Sequence, residues 1–369
     1  MSTAVERAGA ILTIDLGAVV SNYLLLRRML GTADCAGVVK ANAYGLGAVQ
    51  VASALHGAGC RKFFVAHVDE GIELRENLPA GSEIFVLNGM PAGTEADFFA
   101  AGLVPVLNSL REIRAWRDHA MKREHRLPAA VQVDSGMSRL GLPPRDAEAI
   151  ASDPEMLRAF DVRLVFSHLA CADEYEHAAN EKQRCAFDRL RSMLPSAPAS
   201  LANSSGIFLG SAYHYDLARP GAALYGINPT PHRTNPMRQV VRLSARIIQL
   251  REVSENAGIG YGHTALATKP TRLATISLGY ADGWRRSADT AAFMNGVRLP
   301  FIGRVSMDSI ILEVTDCPNG SVGEGDWVDL ICNEQTVDQV AVASGTIGYE
   351  VLTSLGRRFH RRYLGTDGS

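Results

Sequence analysis

The sequence predicts an α/β protein with an N-terminal (β/α)8 TIM-like barrel and a C-terminal, mostly β domain. Three observations lead to this prediction. Eight apolar runs that end in polar residues recur along the first part of the chain, and most are separated by segments long enough for a helix. Near Val240 these helical spacers stop, and short strands with turn signals follow. A length of 369 residues also exceeds what one hydrophobic core usually organises, so two domains are expected.

The chain begins with a strand-like lead at residues 11–14, and Asp15 is placed to cap an amphipathic helix that runs to Leu30. Helix-length spacers require the barrel strands to be parallel, and the chemistry of such barrels lies at the carboxyl ends of the strands. A doubly wound open sheet is the structural competitor, but no G-x-G-x-x-G motif follows an early strand. The barrel strands are predicted at residues 38–40, 63–67, 84–88, 104–108, 130–134, 164–168, 200–204 and 215–219.

The second domain is predicted to be built from strands at residues 241–250, 273–278, 297–302, 310–314 and 327–331. A helix over residues 337–343 follows them, and we interpret the basic end at residues 357–362 as a solvated helix face. We therefore expect a barrel domain at residues 10–239 and a β domain at residues 240–369 that includes residues 1–9.

Composition and charge are those of an ordinary globular protein. A net charge of -2 with both signs mixed argues against a nucleic-acid surface or a polybasic membrane patch. The six cysteines form no C-x-x-C motif, which favours reduced thiols over a disulfide framework or a zinc site. The same cysteine pattern leads us to expect no metal site. Because Asp15 interrupts the first apolar stretch and no later run approaches a membrane span, we expect a cytoplasmic protein.

Lys40 ends the first predicted barrel strand and precedes a turn marked by glycines. An amine that is desolvated at a strand end, near cationic groups, can lose its proton and form a Schiff base with an aldehyde. The alternative is a lysine that extends from the sheet edge into solvent. The residues around Lys40 favour the first interpretation.

The segment VVKANAYG at residues 38–45 resembles the cofactor-lysine segment of the alanine racemase family, fold-type III enzymes that use pyridoxal phosphate (PLP). Other segments are similar to that family and occur in family order along most of the chain. They are DSGMSRLG at 134–141, SHLA at 167–170, ANS at 202–204, RPGAALYG at 219–226, YG at 261–262, LGYADG at 278–283, GRVSMD at 303–308 and GYE at 348–350.

A PLP enzyme needs a cradle for the phosphate, and barrels commonly form one in the loops after the last two strands. The segments that begin at Asn203 and at Arg219 fall at those places. Ser204 offers a hydroxyl, Gly221 allows close approach of the backbone, and Tyr44 can add a phenol. Each cluster alone can be a simple turn, so their joint position is the informative observation.

Arg219 is the candidate partner of the pyridine nitrogen, and His168, at the end of the sixth strand, is placed to hydrogen-bond and hold it. A guanidinium can only donate, so it weakens the electron sink and suits a reaction that removes one proton and promptly returns it. A barrel histidine can alternatively be a satisfied core residue.

Inversion at a carbon atom is most directly done by two groups on opposite faces of a planar intermediate. The resemblance implies that Lys40 handles the proton on the D face and that Tyr261, from the other subunit of a head-to-tail homodimer, handles the L face. Without the resemblance, Tyr261 would be a turn aromatic. The resemblance further implies a substrate-carboxylate site of Arg139 and the main chain at Met307, a phosphate shell of Tyr44, Ser204, Gly221, Ala222 and Tyr349, and an entrance corridor of Asp173, Tyr280, Arg286 and Arg304.

One departure from the family pattern is Gln132, which stands where the family often has a carbamylated lysine. A neutral amide can hydrogen-bond Arg139, but it lacks the charge of a carbamate. We therefore predict no carbamylated lysine at this position and a different support for Arg139.

The resemblance thus predicts an alanine racemase that interconverts L-alanine and D-alanine, supplying D-alanine for peptidoglycan or degrading it. A racemase of broader range is the first alternative, although Tyr349 and Met307 suggest a pocket that fits a methyl group. A barrel that binds PLP without turnover is the second alternative. Such a protein would need neither a second base nor a carboxylate-binding arginine.

Overall fold

The computed structural model describes residues 3–123, 126–153, 155–286 and 290–365. The chain separates into two compact units. We call Val19–Arg238 the barrel unit, and Met1–Ala18 together with Gln239–Ser369 the β unit.

Helices alternate with strands along the barrel unit, whereas strands predominate in the β unit. The α-helices are α1 (Ala4–Arg7), α2 (Leu16–Leu30), α3 (Lys40–Tyr44), α4 (Ala48–Gly57), α5 (Val68–Asn77), α6 (Glu95–Ala100), α7 (Leu110–Met121), α8 (Pro144–Ser152), α9 (Glu155–Arg158), α10 (Ala179–Arg191), α11 (Val337–Ala343) and α12 (Gly348–Ser354). The strands are β1 (Ala10–Asp15), β2 (Asp34–Cys35), β3 (Gly37–Val38), β4 (Lys62–Val65), β5 (Glu83–Val86), β6 (Val104–Leu107), β7 (Leu127–Gln132), β8 (Phe160–Phe166), β9 (Ala199–Ser200), β10 (Leu217–Ala218), β11 (Val241–Val253), β12 (Gly258–Ile259), β13 (Ala265–Leu266), β14 (Thr271–Ile276), β15 (Ala291–Met294), β16 (Val297–Pro300), β17 (Ile310–Glu313), β18 (Trp327–Ile331) and β19 (His360–Leu364).

The barrel unit contains a closed ring of parallel strands. Strands β3 to β9 pair in sequence order, and β10 pairs in parallel with β2. The ring closes because Asp216 N donates to Ala199 O at 3.0 Å and Ala36 N donates to Ala218 O at 2.9 Å. With β2 and β3 as two parts of one interrupted strand, the predicted eight-stranded barrel is confirmed.

Aromatic side chains fill the barrel. Phe64 of β4 stacks on Phe85 of β5 with ring centroids 4.6 Å apart, and it meets Phe166 of β8 edge-on at 6.4 Å. All three rings are fully buried, and each contributes roughly 1.5–3 kcal/mol relative to exposure to water. Because all strands run in one direction, their carboxyl ends lie at a single rim above this core.

The β unit is built around a mixed sheet with the strand order β16-β15-β18-β11-β1-β19, to which β14 and β17 are added through β11. Strand β1 pairs antiparallel with β11 and parallel with β19. The first strand therefore belongs to the β unit, although the sequence placed the start of the barrel domain at residue 10. The barrel has no open edge for β1, because β2 and β3 already close the ring with β10.

The basic segment at residues 357–362 forms no helix and leads into a strand, so its interpretation as a solvated helix face is wrong. Residues His360–Leu364 form β19 beside β1. Arg362 Nη2 donates to Thr13 Oγ1 of β1 at 3.0 Å. Long arginine stems can cover a strand while their charged ends remain in water, so a basic run does not by itself distinguish a helix from a strand.

Two further expectations about helices are confirmed. Ala18 N donates to Asp15 Oδ1 at 2.8 Å, so Asp15 caps α2. The helix expected at residues 337–343 is α11. No helix within the described ranges combines the length and the hydropathy needed to cross a bilayer.

Candidate active site

Polar side chains stand at the carboxyl ends of the barrel strands. Lys40 lies two residues after the end of β3 and is only partly exposed. Burial lowers the pKa of its amine from 10.5, the positive charge of Arg139 lowers it further, and the carboxylate of Glu70 raises it. Lys40 therefore loses its proton more readily than a solvated lysine, as an amine that forms a Schiff base must.

The chain adopts a left-handed conformation directly after Lys40. Residues 41–44 all have φ angles between 52° and 56°. Gly45 N donates to Ala41 O at 2.8 Å, so the segment is one left-handed helical turn. This conformation costs about 1–2 kcal/mol per non-glycine residue. Such strain persists only where surrounding contacts hold the backbone, and it is concentrated at functional sites.

Ser204 and the backbone at Gly221 form a cradle after β9 and β10. Ser204 Oγ accepts hydrogen bonds from Gly221 N at 3.0 Å and from Ala223 N at 3.2 Å. A Cβ on residue 221 would lie only 2.4 Å from Tyr44 Oη, so the approach of these groups requires glycine. Two main-chain N–H groups, a hydroxyl and a phenol meet where the 3-10 turn Ala222–Tyr225 begins. This donor set fits the phosphate of the cofactor that the sequence implies.

Buried side chains brace the cradle. Asn203 Oδ1 accepts from Gly206 N at 2.9 Å, which holds the loop after β9. The ring of Tyr44 packs against that of Tyr225 with centroids 4.7 Å apart. Tyr225 Oη in turn donates to Val38 O at 2.8 Å, so the turn that follows Gly221 is tied to the strand that leads to Lys40.

Arg219 is a buried cation with fixed hydrogen-bond partners. Arg219 is only 5% exposed, and its Nη2 donates to Ser167 O at 2.6 Å. Nη1 donates to Ser200 Oγ, and the guanidinium lies over the ring of Phe166 at 4.6 Å. Burial lowers the pKa of Arg219 to about 9, so the group stays protonated at neutral pH.

His168 does not hydrogen-bond Arg219 within the described residues, contrary to the expectation from the sequence. Ser200 Oγ and Ser167 O instead accept the hydrogen bonds of the two terminal guanidinium nitrogens. Burial lowers the pKa of His168 to about 3, and the positive charges of Arg219, Arg139 and Lys40 act in the same direction. His168 is therefore a neutral imidazole at neutral pH, close to three cationic groups.

Gln132 does not support Arg139. Its Nε2 donates to Leu140 O at 3.4 Å, so the amide is directed to the backbone of the following loop. Arg139 is exposed, and it makes no hydrogen bond or ion pair within the part of the chain that the structure describes. Its guanidinium is available for an anionic ligand.

Tyr261 lies in the β unit on a loop with left-handed residues. Gly260 and Gly262 both have φ angles of 69°, and the side chain of Tyr261 is 66% exposed. A Cβ on Gly260 would lie 3.5 Å from Arg304 N, and one on Gly262 would lie 3.8 Å from Arg304 Nη1. The loop thus presents the phenol to solvent, and Arg304 packs against the two glycines that flank it.

Met307 lies on a neighbouring loop of the β unit. Ala281 N donates to Met307 O at 3.0 Å, and a Cβ on Gly279 would lie 2.3 Å from that oxygen, so glycine is required there. The N–H of Met307 has no partner among residues 3–123, 126–153, 155–286 and 290–365. Tyr261 and Ser306 line one open cavity with a volume of about 690 Å³. A phenol and an unused N–H donor therefore lie on adjacent loops.

The remaining predicted residues are exposed on their own units. Tyr280 is 42% exposed and Tyr349 is 38% exposed, and Arg286 is also exposed. Asp173 is exposed in the barrel unit, where it lines a small cavity of about 40 Å³. The barrel unit carries Lys40, Tyr44, Arg139, His168, Asp173, Asn203, Ser204, Arg219, Gly221 and Ala222, and the β unit carries Tyr261, Tyr280, Arg286, Arg304, Met307 and Tyr349.

Ser200 and Glu70 were not among the site residues predicted from the sequence. Ser200 accepts from Arg219, and Glu70 Oε1 accepts from Ala41 N at 2.7 Å. The sequence contained a feature that could have indicated each of these two residues. Ser200 opens a predicted strand run, and Glu70 stands three residues after His67, where a capping carboxylate is common at the start of a helix.

Two family models match the chain. The model described as alanine racemase, N-terminal domain, matches residues 14–229. The model described as alanine racemase, C-terminal domain, matches residues 240–363. Together they span both units.

Curated proteins and solved structures agree with these matches. The chain is 60% identical to a catabolic alanine racemase of Mesorhizobium japonicum, over 97% of this chain and 94% of that protein. It is 49% identical to a catabolic alanine racemase of Agrobacterium fabrum, over 96% of this chain and 92% of that protein. A crystal structure of alanine racemase from Bartonella henselae with covalently bound pyridoxal phosphate is 42% identical, with a TM-score of 0.93 over 97% of this chain and all of that one. The resemblance seen in the sequence is thereby confirmed, and the chain belongs to the alanine racemase family of PLP-dependent isomerases.

Proposed function

We propose that the protein interconverts L-alanine and D-alanine with PLP bound at the barrel rim, and that Lys40 and Tyr261 act as its two bases. The observation that carries this proposal is a lysine with a lowered pKa on the same rim as a buried, charged arginine, Arg219. A barrel that binds PLP without turnover would use the lysine and the phosphate cradle. It would have no use for an arginine at position 139 that lacks a partner among the described residues.

PLP supplies an aldehyde for covalent attachment and a ring that withdraws electrons from the α-carbon of a bound amino acid. Lys40 Nζ forms the covalent bond, and the cradle at Ser204 and Gly221 binds the phosphate. The fit of that cradle rests on its polar lining, in which Gly221 N and Ala223 N converge on Ser204 Oγ. The residues proposed to hold the cofactor are Lys40, Tyr44, His168, Asn203, Ser204, Arg219, Gly221, Ala222 and Tyr349.

Arg219 faces the ring nitrogen and limits how much charge the ring accepts. A guanidinium has no acceptor, so it donates to a bare nitrogen and cannot stabilise a protonated one. Its position is fixed by Ser167 O and Ser200 Oγ. This arrangement suits removal and rapid return of a single proton, and it disfavours transamination.

Lys40 Nζ would become a free amine once the substrate's amino group replaces it on the cofactor. Lys40 Nζ and Tyr261 Oη would then exchange the proton of the substrate's α-carbon on its two faces. Lys40 acts on the D face and Tyr261 on the L face. The lowered pKa of Lys40 supports its role as a base, and the exposure of Tyr261 leaves its phenol accessible to a ligand.

Arg139 and the Met307 N–H bind the substrate carboxylate. Neither group has a partner among the described residues, and each is a donor suited to an anion. Tyr349 and Met307 leave space for a methyl group and disfavour larger side chains, so alanine is preferred over the substrates of a broader racemase. Asp173, Tyr280, Arg286 and Arg304 form the entrance.

The active form is a homodimer in which the β unit of one subunit supplies Tyr261 to the barrel of its partner. Several large apolar side chains of the β unit are more than half exposed, which favours an interface there. They are Val342 (81%), Tyr261 (66%), Ile347 (61%), Leu266 (58%), Met307 (53%), Val297 (52%) and Ile248 (51%). The PLP-binding domain is then the barrel, and the β domain completes the neighbouring site.

The protein acts in the cytoplasm, where its six free cysteines suit a reducing environment. Two relatives at 60% and 49% identity are named catabolic, which supports a role in degrading D-alanine. Supply of D-alanine for peptidoglycan is the second candidate role, since the same reaction runs in both directions.

Circular dichroism of single-enantiomer amino acids incubated with the purified, PLP-loaded protein tests this function. L-alanine and D-alanine are expected to reach the same zero signal, and lysine and arginine to react far more slowly. Free PLP and the Lys40→Ala variant serve as controls. An unchanged signal with both alanine enantiomers would refute the proposal, and equal rates with all side chains would select the broader racemase.

A further inference from the structure

The left-handed turn after Lys40 begins at Ala41, whose N–H requires a hydrogen-bond partner from outside the turn. Glu70 Oε1 accepts from this N–H at 2.7 Å. The contact joins residues 29 positions apart in the chain. The amide at the start of the strained segment next to the cofactor lysine is therefore held by a carboxylate on α5.

The other oxygen of this carboxylate is also used. Glu70 Oε2 accepts from Ala66 N at 2.7 Å and from His67 N at 3.2 Å. Glu70 thus ties together the end of β4, the start of α5 and the turn that follows Lys40. All of these contacts lie within the barrel unit.

Glu70 also acts on Lys40 through its charge. Burial and Arg139 both lower the pKa of the Lys40 amine, and Glu70 is the group that raises it. A carboxylate at this position therefore holds the backbone and opposes the neighbouring guanidinium.

We propose that Glu70 is a positioning residue for the reaction, which sets the orientation of Lys40 toward the cofactor by holding the Ala41 amide. This inference rests on the proposed role of Lys40. Glu70 touches neither the substrate nor the cofactor in this scheme, and it acts only through the turn.

The substitution Glu70→Gln keeps the volume and removes one acceptor. Three N–H donors face the two carboxylate oxygens, so an amide NH2 must point at one or more of them. Glu70→Asp keeps the charge and both oxygens on a stem that is shorter by one methylene. We expect its effect to lie between those of wild type and Glu70→Gln.

Glu112→Gln is the matched control. Glu112 is likewise the third residue of a helix that follows a barrel strand, α7, and its Oε2 accepts from Asn108 N at 2.6 Å. It is 6% exposed, so its substitution perturbs folding at least as much. The hydrogen bonds of Glu112 do not reach the Lys40 segment in the described structure.

The test compares these full-length variants by amide hydrogen exchange over residues 39–46, by the rate at which PLP-free protein captures PLP, and by steady-state kinetics. For Glu70→Gln we expect faster exchange in this segment, capture that is slower by about tenfold or more, and a fall in kcat that exceeds the change in KM. The pH midpoint of capture should move to lower pH, because the charge that opposes Arg139 is gone. Glu112→Gln should keep wild-type exchange at residues 39–46 and wild-type capture, even with a lower melting temperature.

If both Glu70 variants match Glu112→Gln in local exchange and in PLP capture, Glu70 is only a helix cap and the inference is overturned. Lys40→Ala separates this outcome from failure of the proposed function. A Lys40→Ala protein that still bound PLP covalently would overturn the role of Lys40, and the role of Glu70 with it.

Discussion

Lys40 and Arg219 are two basic residues on which burial has opposite consequences for function. Burial lowers the pKa of both groups. For the lysine, this favours the neutral amine that chemistry requires. For the arginine, the value remains at about 9, so its charge is kept at neutral pH. One rim can therefore hold a lysine that loses its proton readily and an arginine that keeps its charge and its hydrogen-bond donors.

Tyr261→Phe tests the assignment of faces at the level of one atom. Loss of Oη should slow removal of the α-proton from L-alanine by about a hundredfold or more and affect D-alanine far less. Exchange of the α-hydrogen with D2O, followed by NMR from each enantiomer, measures both rates. Tyr213→Phe is the control, since its hydroxyl donates to Glu181 at 3.3 Å and has no assigned role. Equal slowing from both enantiomers would show that the face assignment is wrong.

His168 predicts a pH dependence of stability. Its pKa falls from 6.5 in an unfolded chain to about 3 in the folded protein, so only the unfolded chain binds this proton between these values. Stability from this residue is therefore lost as the pH falls through 6.5, and the loss amounts to about 2 kcal/mol at pH 5. Urea unfolding at pH 7.5 and pH 5 should show a smaller difference for His168→Gln than for wild type.

The exposed His232 provides the control for this experiment. His232→Gln should keep the wild-type difference between the two pH values. If His168→Gln also kept that full difference, the neutral state of the buried imidazole would be excluded.

The positions of Lys40 and Arg219 at the barrel rim were predictable, because each of them ends a predicted strand. Their supporting contacts were not. Arg219 is held by the main chain at Ser167 and by Ser200, whereas the sequence suggested His168. A backbone carbonyl has no sequence signature, and a contact between residues 52 positions apart depends on how the barrel closes.

At the level of elements, the cradle depends on the close approach of a loop and a ring. Gly221→Ala places a Cβ 2.4 Å from Tyr44 Oη, so the loop or the phenol must move. We expect the dissociation constant for PLP to rise about tenfold or more, equivalent to about 1.4 kcal/mol. Equilibrium dialysis of PLP with the PLP-free protein measures this change.

Gly57→Ala is the control for the cradle, because nothing lies within 4 Å of a Cβ built there at the end of α4. It should bind PLP as wild type does. Unaltered PLP binding by Gly221→Ala would mean that the loop at residue 221 does not contact the phosphate.

The barrel strands were readable because parallel strands buried on both faces appear as continuous apolar runs. Several short strands of the β unit could not be read from the sequence, and β12, β13, β15 and β19 are examples. A two-residue strand such as β12 has no period to detect, and β19 is basic rather than apolar. The sheet to which β1 belongs was also not predictable, because its partners are β11 and β19 near the other end of the chain.

At the level of the whole molecule, the proposal divides the two bases between two units and two subunits. Lys40 lies in the barrel unit, and the exposed Tyr261 lies in the β unit. The sequence pattern predicted both units, but an interface between copies leaves no periodic signal in one chain.

Subunit complementation tests this central claim directly. Lys40→Ala and Tyr261→Phe chains with different affinity tags are co-expressed, and the heterodimer is purified through both tags. One of its two sites then contains neither substitution, so we predict about half the wild-type kcat per dimer, although each variant alone is nearly inactive. A heterodimer of wild type with the Lys40→Ala, Tyr261→Phe double variant should be nearly inactive, because every site lacks one base. Activity of the mixed single variants no higher than that of either variant alone would contradict the account.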